Sequence, residues 1–146
     1  MSLQDWLKSR WLIEHQTSHQ EIADLLGMAD RDLVQCRTPN LSSDWQLNII
    51  AYNAALQAAT AALAAAGYRA AREAHHYRVI QSLAYTIKAD GSLIAQLDKF
   101  RKKRNIGSYE RAGAVSEQEA KEMVALAKSL KDEVIAWLKK NHPEFL

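Results

Sequence analysis

Residues 45–67 read WQLNIIAYNAALQAATAALAAAG, and the spacing inside this run decides the fold class. Trp45, Ile49, Tyr52, Leu56, Ala59, Leu63 and Ala66 recur at alternating intervals of four and three. That rhythm puts them on one face of an α-helix, as in the seam of a bundle. Ala54, Ala55, Ala58, Ala61, Ala62 and Ala65 keep the flanks small, so a neighbouring helix can approach closely. Gly67 stands where a helix C-terminus commonly turns left-handed. Asn53, Gln57 and Thr60 interrupt the apolar run, so it falls short of a membrane span.

Upstream, Thr38-Pro39-Asn40 breaks the chain, and Ser43 with Gln46 forms a capping box for the Ala-rich helix. An earlier box, Ser18 with Glu21, opens another helix. The segment that follows, HQEIADLLGMADRDLVQC, imitates a helix-turn-helix, with Ala23 and Gly27 four apart. Its periodicity argues for one continuous helix. Ile22, Leu26, Ala29, Leu33 and Cys36 keep intervals of four and three without a slip at Gly27. Two helices at a large angle would break that register. Asp30 and Asp32 would also repel phosphate from the supposed reading helix. Residues 1–17 form an N-terminal helical extension, with Trp6, Leu7, Trp11 and Leu12 near helical spacing.

Downstream, residues 68–75 (YRAAREAH) read as a basic connector or a frayed helix start. A third helix is expected over His76 to Lys88, with Ile80, Leu83 and Ile87 facing inward. Asp90-Gly91 makes a turn, Ser92 caps a fourth helix ending near Arg104, and Gly107 and Gly113 mark the next loop. Ser116 with Glu119 is a third capping box. The last helix carries Ala120, Met123, Ala127, Leu130, Val134 and Trp137 in phase until His142-Pro143 stops it. No strand-like alternation and no repeat is visible. The expectation is a single all-α domain over residues 1–146, an antiparallel up-down bundle of four main helices plus one short extra helix.

Composition agrees with that class. Of the 146 residues 48% are hydrophobic and 25% charged, and the five Gly and two Pro are few for so long a chain. One cysteine, Cys36, rules out an internal disulfide framework and fits a reducing compartment. Asp5 and Trp6 stand where a signal peptide would begin. The expected location is cytoplasmic, with no membrane partner.

The net charge of +2 is unevenly spread. Residues 1–68 carry four Lys/Arg against seven Asp/Glu, residues 69–111 ten against four, and residues 112–146 five against six. The middle third is therefore the cationic part. It ends in LIAQLDKFRKKRNIGSY, residues 93–109. There Leu93, Leu97, Phe100 and Arg104 share one helical face, so a guanidinium falls on an apolar stripe. The run Arg101-Lys102-Lys103-Arg104, extended by Arg111 and by Arg69, Arg72 and Arg78, is the candidate phosphate-binding surface. Cations also complement a helix C-terminus, which is enough to explain Lys102 and Lys103. It does not explain Arg104 on the stripe.

His75 and His76 are the candidate proton-transfer groups, since imidazole titrates near neutral pH. Adjacent helical positions point apart, so the pair is a poor metal site. Cys36 continues a core stripe. No phosphate loop, nucleophile elbow or carboxylate cluster with metal spacing occurs, and no cofactor or metal is expected.

The chain resembles the HEPN-domain proteins, a family of small helical bundles, over roughly Glu21 to Leu138. Three pieces carry the resemblance: ADLLGMADRDL; AYNAALQAATAALAAAGYR with HHYRVIQSL; and RKKRNIGSYERAGAVSEQEA. The resemblance implies a homodimer, and in many members a metal-independent ribonuclease that serves as the toxin of a toxin–antitoxin pair. The family signature is an Arg, a polar residue and, a few positions on, a His, with two copies facing each other across a dimer cleft. Arg104 matches the Arg and Asn105 the polar position, while Tyr109 stands where the His is expected. The implied catalytic set is therefore Arg104, Asn105 and Tyr109, with Arg101, Arg104, Arg111 and Arg78 on phosphate. Tyr, with a reference pKa of about 10 against about 6.5 for His, is a poor general base. Two functions follow as expectations: binding or cleavage of RNA or a nucleotide, or a non-enzymatic module for an antitoxin, a nucleotidyltransferase-like protein or another acidic partner.

Overall fold

In the computed structural model, residues 2–37, 44–107 and 116–146 are described, with side chains omitted at 44–47 and 104–107. Helices dominate. In chain order they are α1 (Leu3–Lys8), α2 (His19–Gln35), α3 (Asp44–Ala65), α4 (His75–Ser82), α5 (Gly91–Gly107) and α6 (Glu117–Asn141), followed by a 3-10 turn at Pro143–Phe145. Two short strands, β1 (Leu12–Glu14) and β2 (Tyr68–Ala70), pair antiparallel with Ile13 opposite Arg69.

α3 is the axis of the molecule. It packs against α2, α4, α5, α6 and β2. The reason is its composition: Ala51, Ala54, Ala55, Ala58, Ala61 and Ala62 are all buried, in addition to Tyr52 and Leu63 on the large-residue stripe. A helix that is apolar all round belongs inside. Methyl-sized flanks let the other helices close on it from several sides. α2 supplies Ile22, Leu26, Ala29 and Leu33, and α6 supplies Met123, Ala127, Leu130, Val134 and Leu138 to this core. Gly67 ends α3 region as expected, with φ +101° and its N–H donating to the carbonyl of Ala64.

α2 is continuous through Gly27, so the helix-turn-helix is absent here and the unbroken register is correct. The Ser18 hydroxyl accepts from the Glu21 N–H, 3.1 Å. The Glu21 carboxylate does not return the bond; it turns to Thr17 and His15 instead. The box at Ser116 and Glu119 is complete in both directions. The box expected at Ser43 lies outside the described residues.

Several boundaries differ from the expectation. The N-terminal extension is helical only to Lys8; Arg10 adopts φ +65° and sends Trp11 and Leu12 into β1. β2 occupies the supposed basic connector. Each strand is three residues long, too short for alternation to register, and each pairs with a segment more than fifty positions away in sequence. α4 starts at His75 and stops at Ser82, followed by turns where a helix to Lys88 was expected. At the start of α5 the Asp90 carboxylate caps the Leu93 N–H at 2.9 Å, a role Ser92 was expected to fill. α5 then runs on to Gly107, past Arg104.

Candidate functional site

The start of α4 and the cationic end of α5 come together. Ala74, His75, His76, Tyr77 and Arg101 line one shallow cleft. Ala74, the N-cap of α4, makes no side-chain capping bond and has φ +54°, a left-handed conformation that costs a non-glycine residue about 1–2 kcal/mol. Beyond that sharp entry, α4 packs on α5. Leu97 and Phe100, 1% and 3% exposed, anchor α5 from below, as their place on the stripe requires.

Within the cleft, Tyr77 is the meeting point. The guanidinium carbon of Arg101 lies 5.4 Å from its ring centroid and that of Arg78 lies 5.5 Å away. His75 and His76 have ring centroids 6.0 Å apart, and His76 approaches the buried Tyr52 ring at 6.1 Å. His75 and His76 therefore splay, as neighbours on a helix must: His76 toward α3, His75 along the cleft wall.

The described cations of the 101–104 run, Arg101, Lys102 and Lys103, are engaged within the chain. Arg101 Nε donates to Asp98 at 2.7 Å, and Lys102 reaches the other Asp98 oxygen at 3.4 Å. Burial alone would raise the Asp98 carboxyl, but bonding and attraction from Arg101 and Lys102 outweigh it and hold the pKa below the ordinary carboxylate value. Lys103 pairs with Glu119 on α6, whose pKa is lowered chiefly by that bond and also by the Ser116 N–H. Arg78 lies over Trp11 at 3.7 Å and more distantly over Trp6 at 5.8 Å. This guanidinium is thus held against the indoles of the N-terminal segment.

Of the sequence-stated site residues, His75, His76 and Arg101 share the cleft, and Arg78 borders it through Tyr77. Arg104 and Asn105 belong to the backbone of α5, one turn beyond Arg101. Their side chains, with Tyr109 and Arg111, lie outside the described residues. Arg69 and Arg72 are exposed on and after β2. Among the described residues no group of three or more His, Cys, Asp or Glu could hold a metal ion.

Two features were not anticipated. Tyr77 lies under both Arg78 and Arg101, and the signal for it in the sequence is its place in the run His75-His76-Tyr77-Arg78. His15 lies in the N-terminal extension, just after β1. Its Nε2 lies 2.7 Å from Glu21, which also accepts from Thr17 at 2.5 Å. The Glu21 pKa is lowered, first by the Thr17 bond and then by His15 against the opposing effect of burial. Cys36 packs at the edge of the core, as its stripe position implies, and burial followed by the nearby Asp32 raises its thiol to about 11.

No protein-family model matches this chain, and comparison with curated proteins and with solved structures found no significant match. No described helix is long and apolar enough to cross a membrane.

Proposed function

We propose that this chain is a HEPN-type bundle that works as a homodimer and engages RNA or a nucleotide through the cationic end of α5 and the start of α4. The observation supporting this most is the cleft shared by His75, His76, Tyr77 and Arg101. A ribonuclease site on Arg104 needs a group that moves protons near neutral pH, and Tyr109 is a neutral donor there. The α4 histidines flank the same end of α5 and fit the vacant role. In this reading Arg104 and Arg101 neutralise the phosphate, Asn105 orients it, and His75 accepts the proton of the ribose 2′-OH. The 2′-oxygen attacks phosphorus, the bond to the 5′-oxygen breaks, and that oxygen takes a proton from a second donor. Two Arg104–Asn105–Tyr109 sets facing each other across a two-fold axis complete the cleft.

A second reading is favoured by the engaged cations. With Arg101 and Lys102 on Asp98 and Lys103 on Glu119, the field offered to phosphate is reduced. A weak patch of that kind suits an acidic protein surface, such as an antitoxin or a nucleotidyltransferase-like partner, without catalysis. Incubation with single-stranded and structured RNA, beside Arg104→Ala and His75→Gln, separates the two. Cleavage lost in both variants supports the enzyme. Intact RNA, together with a tight protein complex lost in Arg104→Ala, supports the module.

A further inference from the structure

A cavity of about 300 Å³ lies beneath the two-stranded sheet, between α2, the end of α3 and the start of α4. Its floor is apolar: Leu63, Ala64, Ala70 and Val79 are each between 0% and 4% exposed. An apolar cavity of about 150 Å³ takes up a benzene ring, so this one has room for a ring with a short substituent. Its lining includes His75, which also lines the α4–α5 cleft, so the two hollows share a wall.

The polar groups of the lining decide what head such a ligand carries. Charges of both signs are present, the Glu21 carboxylate and the Arg69 guanidinium, so the lining favours neither an anion nor a cation. A charged ligand would meet one attraction and one repulsion there and would give up hydration against the apolar floor. An uncharged one loses little. Glu21 has one oxygen left to accept a bond: its Oε1 takes bonds from Thr17 and His15, while its Oε2 has no partner among the described residues. The Glu21 pKa is lowered, so at neutral pH that oxygen is purely an acceptor. An O–H is a neutral group that satisfies it, and a bond to an ionised acceptor is of the stronger kind.

We propose that this cavity binds a small uncharged alcohol, its apolar body on the Leu63–Val79 floor and its hydroxyl donating to Oε2 of Glu21. The assignment rests on the lining alone and requires no proton transfer at His75, so it holds under either reading of the α4–α5 cleft.

The test compares probes that share one phenylethyl body, 2-phenylethanol, ethylbenzene, 2-phenylethylamine and 3-phenylpropanoate, by two-dimensional amide NMR of the full chain. 2-Phenylethanol is expected to saturate with a Kd of about 1 mM or tighter, with shifts centred on Leu63, Ala70 and Val79. Ethylbenzene, which lacks the hydroxyl, should bind about fivefold more weakly, and the amine and the carboxylate about tenfold more weakly. Glu21→Leu should bring 2-phenylethanol down to the affinity of ethylbenzene, and Ala64→Met should abolish binding of both by filling the floor. The far-UV circular dichroism of each variant shows whether it is folded, and the comparison of probes on the unaltered chain stands without either variant. Absence of saturable binding, tighter binding of either charged probe, equal binding of the alcohol and ethylbenzene, or a preference for the alcohol that survives Glu21→Leu overturns the proposal.

Discussion

Arg78 sits over the Trp11 ring, its guanidinium carbon 3.7 Å from the centroid, and so ties α4 to the segment between α1 and β1. Trp6 packs edge-on to Trp11 at 5.9 Å and to Tyr85 at 5.3 Å, which extends the clamp into the core. A cation over an indole contributes about 0.5–2 kcal/mol, more as water is excluded. Arg78→Ala should therefore lower stability by about 1–2 kcal/mol in urea unfolding, with a change in tryptophan emission. A residue serving only phosphate would leave the unfolding midpoint unmoved.

Gly27 is exposed in the middle of α2, and a Cβ built there meets nothing within 4 Å. Its φ is not positive, so alanine fits the backbone. Gly27→Ala should raise stability by about 0.5–1 kcal/mol, read as a higher thermal midpoint. A turn at this position would give the opposite sign.

The acid limb of stability should track Glu21, Asp98 and Glu119, whose pKa values are all lowered in the folded protein. A carboxyl depressed on folding contributes stability above its unfolded pKa and loses it as pH falls through the folded value. Stability should thus decline from about pH 4.5 downward, and Asp98→Asn should flatten that decline. At neutral pH the same substitution should cost about 1 kcal/mol, since Arg101 and Lys102 lose their common partner.

Cys36 has its thiol raised to about 11, with burial the larger cause and Asp32 the second. At neutral pH the thiolate is scarce, and thiolate is the reactive form. Labelling by a disulfide reagent should be much slower than for free cysteine and should keep accelerating well past pH 9. For an acid whose pKa rises on folding, the linked stability is present below the unfolded pKa and lost above it, so alkaline pH should loosen the end of α2.

The helical elements were legible because each carries its own evidence. The unbroken four-three register of Ile22 to Cys36 ruled out a turn at Gly27, and the reciprocal bonds of Ser116 and Glu119 involve residues three apart. Local signals misled where a competing partner was distant or equally close. Glu21 satisfies the capping pattern but bonds to His15 and Thr17 instead, and α5 starts at Gly91, which puts Ser92 inside the helix and Asp90 at the capping distance from the Leu93 N–H. The candidate site was legible as residue types only: a cationic run and a pair of histidines.

By itself the sequence determined that this is a helical protein with an Ala-flanked helix at its centre, because periodicity and side-chain size are properties of neighbouring residues. Only the tertiary structure decided that α4 lies on α5, bringing His75, His76 and Tyr77 to Arg101, and that β1 and β2 pair to roof a cavity. Those arrangements depend on contacts between segments tens of residues apart. Loop closure and core packing choose among such contacts through the burial of the whole chain, and no short stretch encodes that choice.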